Sequence, residues 1–160
     1  MGVTSDNVAR LFGISRASQD AFAAESHRRA DRARRRGLTQ REVVPLAEAA
    51  LDDGVREDCS AEALRGLRPA FSADGTTTAG NSSQVSDGAA AVALALESTA
   101  LAHGLEILGF WRSYVVVGVE PSVMGIGPVA AIPRALRLAG LTIADVDVFE
   151  INEVPAPQIR

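Results

Sequence analysis

The sequence predicts an α/β layered fold, and three observations carry that reading. Segments with recognisable helix starts and stops alternate with short runs of β-branched or small apolar residues, the pattern of strands and helices stacked in layers. Hydrophobic residues make up 47% of the 160 positions, enough for one modest core. Glycines and Asp-Gly pairs fall between the runs, where the backbone must turn.

In chain order, Thr4 can cap a short helix that ends at Gly13, and Ser15 can cap a longer one that runs to Gly37. A hydroxyl there satisfies free N–H groups of the first turn, while glycine tolerates the left-handed position after the last. The stretch HRRADRARRRG spreads charge around the second helix and reads as a solvated helix end, its arginines near the carbonyl pole. Ser60 can cap another short helix leading into LRPAF, and Asp74-Gly75 then turns the chain into a Thr-rich strand. Residues 89–96 are continuously small and apolar, which suits a strand buried on both faces or a buried helix; the flanking glycines favour a strand. Residues 110–119 and 146–151 read as strands from their β-branched and aromatic content. Between them, 128–139 reads as a helix with Pro128 in its first turn and Gly140 just beyond its end. An apolar strand followed directly by VPAPQIR leaves a sheet edge without neighbours, so the layered unit is expected to be incomplete.

Charge and composition narrow the function classes. Residues 1–72 hold 12 of the 16 arginines and 11 of the 20 acids, whereas the remainder is apolar and glycine-rich, so the two parts face different surroundings. A net charge of −4 offers no basic surface for nucleic acid. No apolar run reaches the length of a membrane span, and the first residues lack the pattern of a signal peptide. The terminal Gln158-Ile159-Arg160 is not a peroxisomal tripeptide, so no targeting signal is read. A single cysteine makes no internal disulfide, and Cys59, beside acids in VREDCSAE, has a thiol pushed upward rather than activated. His27, His103 and Cys59 stand at no metal-ligand spacing, and Gly125-Ile126-Gly127 does not follow the dinucleotide fingerprint. Residues 74–91, DGTTTAGNSSQVSDGAAA, crowd small and hydroxylated side chains between two Asp-Gly turns. They suit a binding loop and a tight structural loop equally.

That segment resembles a signature of the thiolase family, and the resemblance extends along the chain through MGVTSDNVA, LRPAF, VVVGVEPSVMGIGP and DVDVFEINE. NSSQVSDGA together with VMGIGP is closer to the peroxisomal-type and related bacterial 3-ketoacyl-CoA thiolases than to the acetoacetyl-CoA enzymes. The loop signature and EINE separate it from the ketoacyl synthases that share the fold. The resemblance implies a partial thiolase fold: a largely helical, coenzyme A-binding loop domain over 1–85, the returning end of the N-terminal layered βαβαβαββ half over 86–107, and the start of the C-terminal half over 108–160. It implies an acyltransferase of fatty acid β-oxidation, with coenzyme A and acyl-CoA as substrates and no permanently bound cofactor. A peroxisomal location is implied, with a cytoplasmic one as the alternative. The implied partners are a second copy of the chain, as in dimeric thiolases, or a full-length thiolase subunit paired with a noncatalytic chain.

Carried over residue by residue, Arg56 falls on an arginine beside the nucleotide end of coenzyme A. Ala79, Gly80 and Ser83 fall on the stretch that contacts pantetheine, and Met124 on a methionine lining the thioester end. Asn152 falls on the asparagine that holds a water in an oxyanion hole, where a preorganised donor stabilises developing charge. The family continues Asn-Glu-Ala-Phe-Ala, but here Pro155 follows Glu153 and Val154 and removes an N–H from that path. The family's two catalytic cysteines and its Gly-His-Pro histidine have no counterpart in these residues. Acyl transfer by the thiolase route is therefore not expected of these 160 residues alone, because nucleophile and base act as a unit.

Overall fold

Helix α1 spans Gly2–Leu11 and places Gly2, Ser5, Asp6 and Ala9 on one buried face, with Val8 beside them. The computed structural model describes residues 1–46 and 53–152. Thr4 does not cap α1: the cap position lies three residues earlier, at Met1, and makes no side-chain cap bond. The early start depends on Gly2, since a Cβ there would fall inside the Phe71 ring. After Leu11, Gly13 turns left-handed at φ +64, and the N–H of Ile14 returns to the Ala9 carbonyl at 2.8 Å, closing the end as the glycine predicts.

Helix α2 spans Arg16–Arg35. Ser15 caps it, its Oγ accepting from the Ser18 N–H at 3.2 Å, and Gly37 ends the turn beyond it at φ +69. Its charged half is solvated, as the sequence suggests, and its charges are paired. Glu25 binds Arg28 and Arg29, and Asp31 binds Arg34 and Arg35, which also reach Glu57. Hydrogen bonds from Arg28 and then Arg29 hold the Glu25 carboxyl down at about 2. The opposite face of α2 buries Gln19, Asp20 and Ala23, and α2 packs on helix α3, Ala61–Arg65, which Ser60 caps by accepting from the Ala63 N–H at 3.1 Å.

Helix α4 is Glu97–Ala102, and helix α5 is Gly127–Ala139 with Pro128 in its first turn and Gly140 left-handed at φ +70 after it. Pro133 lies inside α5, where it removes one backbone donor. A 3-10 turn, Pro121–Ile126, leads into α5 and packs on α1, tied by the Asn7 side-chain amide donating to the Ser122 carbonyl at 2.9 Å. A second 3-10 turn, Ile143–Asp145, is closed by reciprocal bonds between Thr142 and Asp145.

The expected strands run extended without pairing. Beyond an isolated bridge at Leu46, no sheet ladder is present among the described residues. Residues 113–120 nevertheless carry the strand period: Ser113, Val115, Val117 and Val119 are half-buried while Tyr114, Val116, Gly118 and Glu120 are exposed. Ser113 Oγ donates to the Ala135 carbonyl at 2.9 Å, so α5 lies along this segment. The 89–96 run is extended and exposed, neither buried strand nor buried helix. A strand's backbone groups need a neighbouring strand, and none pairs with these segments among the described residues.

Candidate functional site: a cleft between α2, α3 and the 76–83 loop

A buried polar junction builds the floor of the site. Asp6, 5% exposed, accepts from the Ser72 hydroxyl at 2.8 Å, from the N–H groups of Thr76 and Thr77 at 3.0 Å each, and from the Thr77 hydroxyl at 2.8 Å. Because the Thr77 hydroxyl spends its proton on Asp6, Ser5 Oγ is the donor in the 2.7 Å contact between Ser5 and Thr77. Burial on its own would raise the Asp6 carboxyl. The hydrogen bonds from Thr77, Ser72 and Thr76 outweigh it and hold the group below the ordinary aspartate value of 3.8. The Thr-rich segment thus spends its backbone donors on a helix carboxylate instead of on a sheet, which is why the expected strand becomes a buried loop.

The loop then folds over itself. Asn81 Oδ1 accepts from the Thr78 N–H at 2.8 Å, Thr78 Oγ1 accepts from the N–H groups of Gly80 and Asn81, and Ser82 Oγ donates to the Thr78 carbonyl at 2.6 Å. Gly80 presses against α3, and a Cβ on it would come within 2.6 Å of Leu67 Cδ1 and closer still to Leu64 Cδ2. Only glycine lets the loop backbone approach α3 so closely.

Beside this loop opens a cleft of about 760 Å³. Four of the six residues singled out from the sequence line it: Arg56, Ala79, Gly80 and Ser83. Arg56, Ala79 and Ser83 are exposed to it, and Gly80 is half-buried. Arg56 and the 79–83 segment stand on different walls, joined by His27 of α2, whose Nδ1 accepts the Arg56 backbone N–H at 3.1 Å. The cleft therefore offers a guanidinium at one place and a strip of small side chains, hydroxyls and backbone at another. That suits an elongated ligand with an anionic end and a thin polar arm.

Met124 and Asn152 do not line this cleft. Met124 lies in the 3-10 turn against α1, and Asn152 is exposed at the end of the last described extended segment. Pro155 lies outside the described residues. Cys59 lines the cleft half-buried, and its thiol is pushed upward, by burial first and then by Asp58, with Arg56 opposing. That agrees with its reading as an unactivated cysteine. Sequence reasoning passed over His27 as an isolated histidine. The signal that could have found it is its place on the α2 row formed with Arg16, Asp20 and Ala23, the face that carries the buried residues of the helix. No group of three acids, cysteines or histidines able to hold a metal ion occurs among the described residues. None of the described helices is long and apolar enough to cross a membrane.

Comparison with known proteins places these features in a family. The family model for the thiolase N-terminal domain matches residues 1–98, and that for the thiolase C-terminal domain matches residues 105–159. The human peroxisomal 3-ketoacyl-CoA thiolase is 54% identical over 171 aligned positions, covering 99% of this chain and 40% of its own length. A peroxisomal 3-ketoacyl-CoA thiolase of Arabidopsis thaliana is 49% identical over a similar span, 38% of its length. Among solved structures, the dimeric peroxisomal thiolase of Saccharomyces cerevisiae superposes with a TM-score of 0.91 at 47% identity, covering 99% of this chain and 41% of that one. The human mitochondrial 3-ketoacyl-CoA thiolase in complex with CoA gives 0.91 at 41% identity, covering 98% and 40%. The chain thus spans about two fifths of the length of these relatives, and over that span it shares their fold: it belongs to the thiolase family.

Proposed function

We propose that this chain forms the coenzyme A-binding part of a 3-ketoacyl-CoA thiolase, an acyltransferase that cleaves 3-ketoacyl-CoA with coenzyme A to acyl-CoA and acetyl-CoA in fatty acid β-oxidation. The observation that carries the reading is the convergence on one cleft of Arg56 and the later stretch of Ala79, Gly80 and Ser83, which belong to separate segments of the chain. Arg56 would meet the phosphates of the nucleotide end, where a guanidinium gives charge-assisted hydrogen bonds. The backbone of Ala79 and Gly80 and the hydroxyl of Ser83 would take the pantetheine arm, with coenzyme A as substrate and not as a resident cofactor. Met124 and Asn152 would serve the thioester end, Asn152 by holding the oxyanion water. Nucleophile and base would have to come from sequence other than these 160 residues, since Cys59 has an unactivated thiol and stands in neither family motif.

In this reading, 1–85 is the loop domain, 86–107 closes the N-terminal half and 108–160 opens the C-terminal half. The extended segments would be strands of the two layered halves, each awaiting neighbours; the one-sided burial of 113–120 supports that. Association with a second copy and a peroxisomal location follow from the relatives and belong to the same proposal. Titration calorimetry with coenzyme A tests it. The chain is expected to bind, and Arg56→Gln to weaken binding by roughly tenfold, the loss of one charge-assisted contact. Absence of binding by the unsubstituted chain, or equal binding by the variant, overturns the assignment of the cleft.

A further inference from the structure

Beside the cleft runs a chain of polar contacts, largely buried, that ties α2 to the end of α3 and to the 76–81 loop. Asp20 is 3% exposed and sits on the inward row of α2. Arg16, one turn earlier, donates through Nε to both Asp20 oxygens at 3.0 and 2.8 Å. The other end of the same guanidinium donates through Nη2 at 2.6 Å to the carbonyl of Leu64, which also accepts from the Leu67 N–H, and at 3.0 Å to the carbonyl of Leu67 just beyond α3. On its far side Asp20 Oδ1 accepts from Asn81 Nδ2 at 3.0 Å. Asn81, 3% exposed, uses the same amide to hold the Thr76 carbonyl at 3.0 Å and its Oδ1 to hold the Thr78 N–H. Every polar atom of Asn81's side chain is engaged, and no smaller or purely accepting side chain could make this set.

We propose that Arg16, Asp20 and Asn81 are positioning residues that fix the 78–83 loop and the end of α3 against α2, and so set the cleft's shape for the thin arm of its ligand. The proposal rests on the reading of the cleft as a coenzyme A site for its ligand half, and on the geometry alone for its structural half. Asp20 is the junction. A carboxylate can accept from the guanidinium and the amide together, whereas an asparagine in its place turns a donor toward one of them. The two-point contact of the Arg16 guanidinium with Asp20 gives direction where apolar contacts would only give adhesion.

Two substitutions separate the limbs. Asn81→Asp keeps the acceptor for Thr78 but loses both donors and sets a carboxylate facing Asp20. Asp20→Asn leaves Asn81 intact but removes the charge on which Arg16 closes. Amide hydrogen exchange on the unliganded chain is expected to rise at Thr78, Gly80 and Asn81 in both variants, and at Leu67 in Asp20→Asn only. The Ser18 and Ala63 amides at the two serine caps stay unchanged. Unaltered exchange at Thr78 in Asp20→Asn overturns the relay, and this arm decides the matter if Asn81→Asp does not fold. Calorimetry with coenzyme A and with adenosine 3′,5′-bisphosphate, the nucleotide end without its arm, reads the ligand half. Both variants are expected to bind coenzyme A roughly tenfold more weakly while binding of the bisphosphate changes little. Equal losses for the two ligands would mean general loosening and refute positioning. If the unsubstituted chain binds neither compound, the functional reading falls together with the ligand half, while hydrogen exchange still decides the relay.

Discussion

Replacing Asp6 by alanine should be among the most damaging single changes in the N-terminal half of this chain, and the geometry sets the size of the effect. Four donors converge on the carboxylate at 2.8 to 3.0 Å, and Thr77, which supplies two of them, is fully buried. Water cannot reach the Thr77 N–H, which would be orphaned at about 1–3 kcal/mol, while the Thr77 hydroxyl keeps Ser5 as a partner and loses only its bond to Asp6, at about 1 kcal/mol. The Ser72 and Thr76 donors lie in half-buried residues and can turn to solvent at smaller cost. The total is about 4 kcal/mol, a large share of the stability of a small domain. Asp6→Asn keeps one oxygen for the Thr76 and Thr77 donors and lets Ser72 turn to accept, so only the charge assistance is lost, about 2 kcal/mol. Urea unfolding followed by circular dichroism measures both. The same experiment run against pH fixes the cause. The folded Asp6 carboxyl sits below its ordinary value of 3.8, so its contribution is fully present above about pH 4 and fades as pH falls through the depressed value. Asp6→Asn should flatten that acid limb. A loss under about 1 kcal/mol for Asp6→Ala, or an unchanged acid limb in Asp6→Asn, would show that the junction does not hold α1 to the loop.

Two further expectations concern the cleft. Gly80→Ala would drive a methyl group into Leu64 and Leu67, so either those side chains or the loop must shift; thermal unfolding should fall by the equivalent of about 1–3 kcal/mol, typical of overpacking, and coenzyme A binding should weaken in parallel. An unchanged melting temperature would mean that the loop does not press on α3. Cys59 should react with iodoacetamide more slowly than free cysteine at pH 7, since burial and Asp58 raise its thiol, and faster as pH climbs toward the raised value. Saturating coenzyme A should slow it further, because the thiol lines the same cleft. Labelling at the free-cysteine rate, whether or not coenzyme A is present, would contradict both the raised thiol and its place in the cleft.

Local signals in this sequence report faithfully on local structure. Ser15, Ser60, Gly37 and Gly140 mark helix ends because caps and left-handed turns are decided by a few neighbouring residues. The solvated, charged end of α2 was legible for the same reason, and its arginines and acids pair at i, i+3 and i, i+4 spacing. Thr4 misled because its neighbour Gly2 lets the helix begin under Phe71, a contact between positions far apart on the chain. Met124 and Asn152, carried over with the cleft residues, were not brought to the cleft.

What the sequence by itself determined is the family, the helix ends marked by Ser15, Ser60, Gly37 and Gly140, and the candidate ligand stretch around Gly80, because each of these is written in residues that are contiguous or nearly so. What only the tertiary structure decided is where the Thr-rich segment sends its hydrogen bonds. Residues 76–78 have the composition of a strand, but Asp6 and Asn81 offer their backbone partners in a buried place, Asp6 with charge, while a sheet neighbour is absent among the described residues. A buried backbone donor goes to the acceptor that is there, and which acceptor is there depends on helices that the chain laid down some 70 residues earlier.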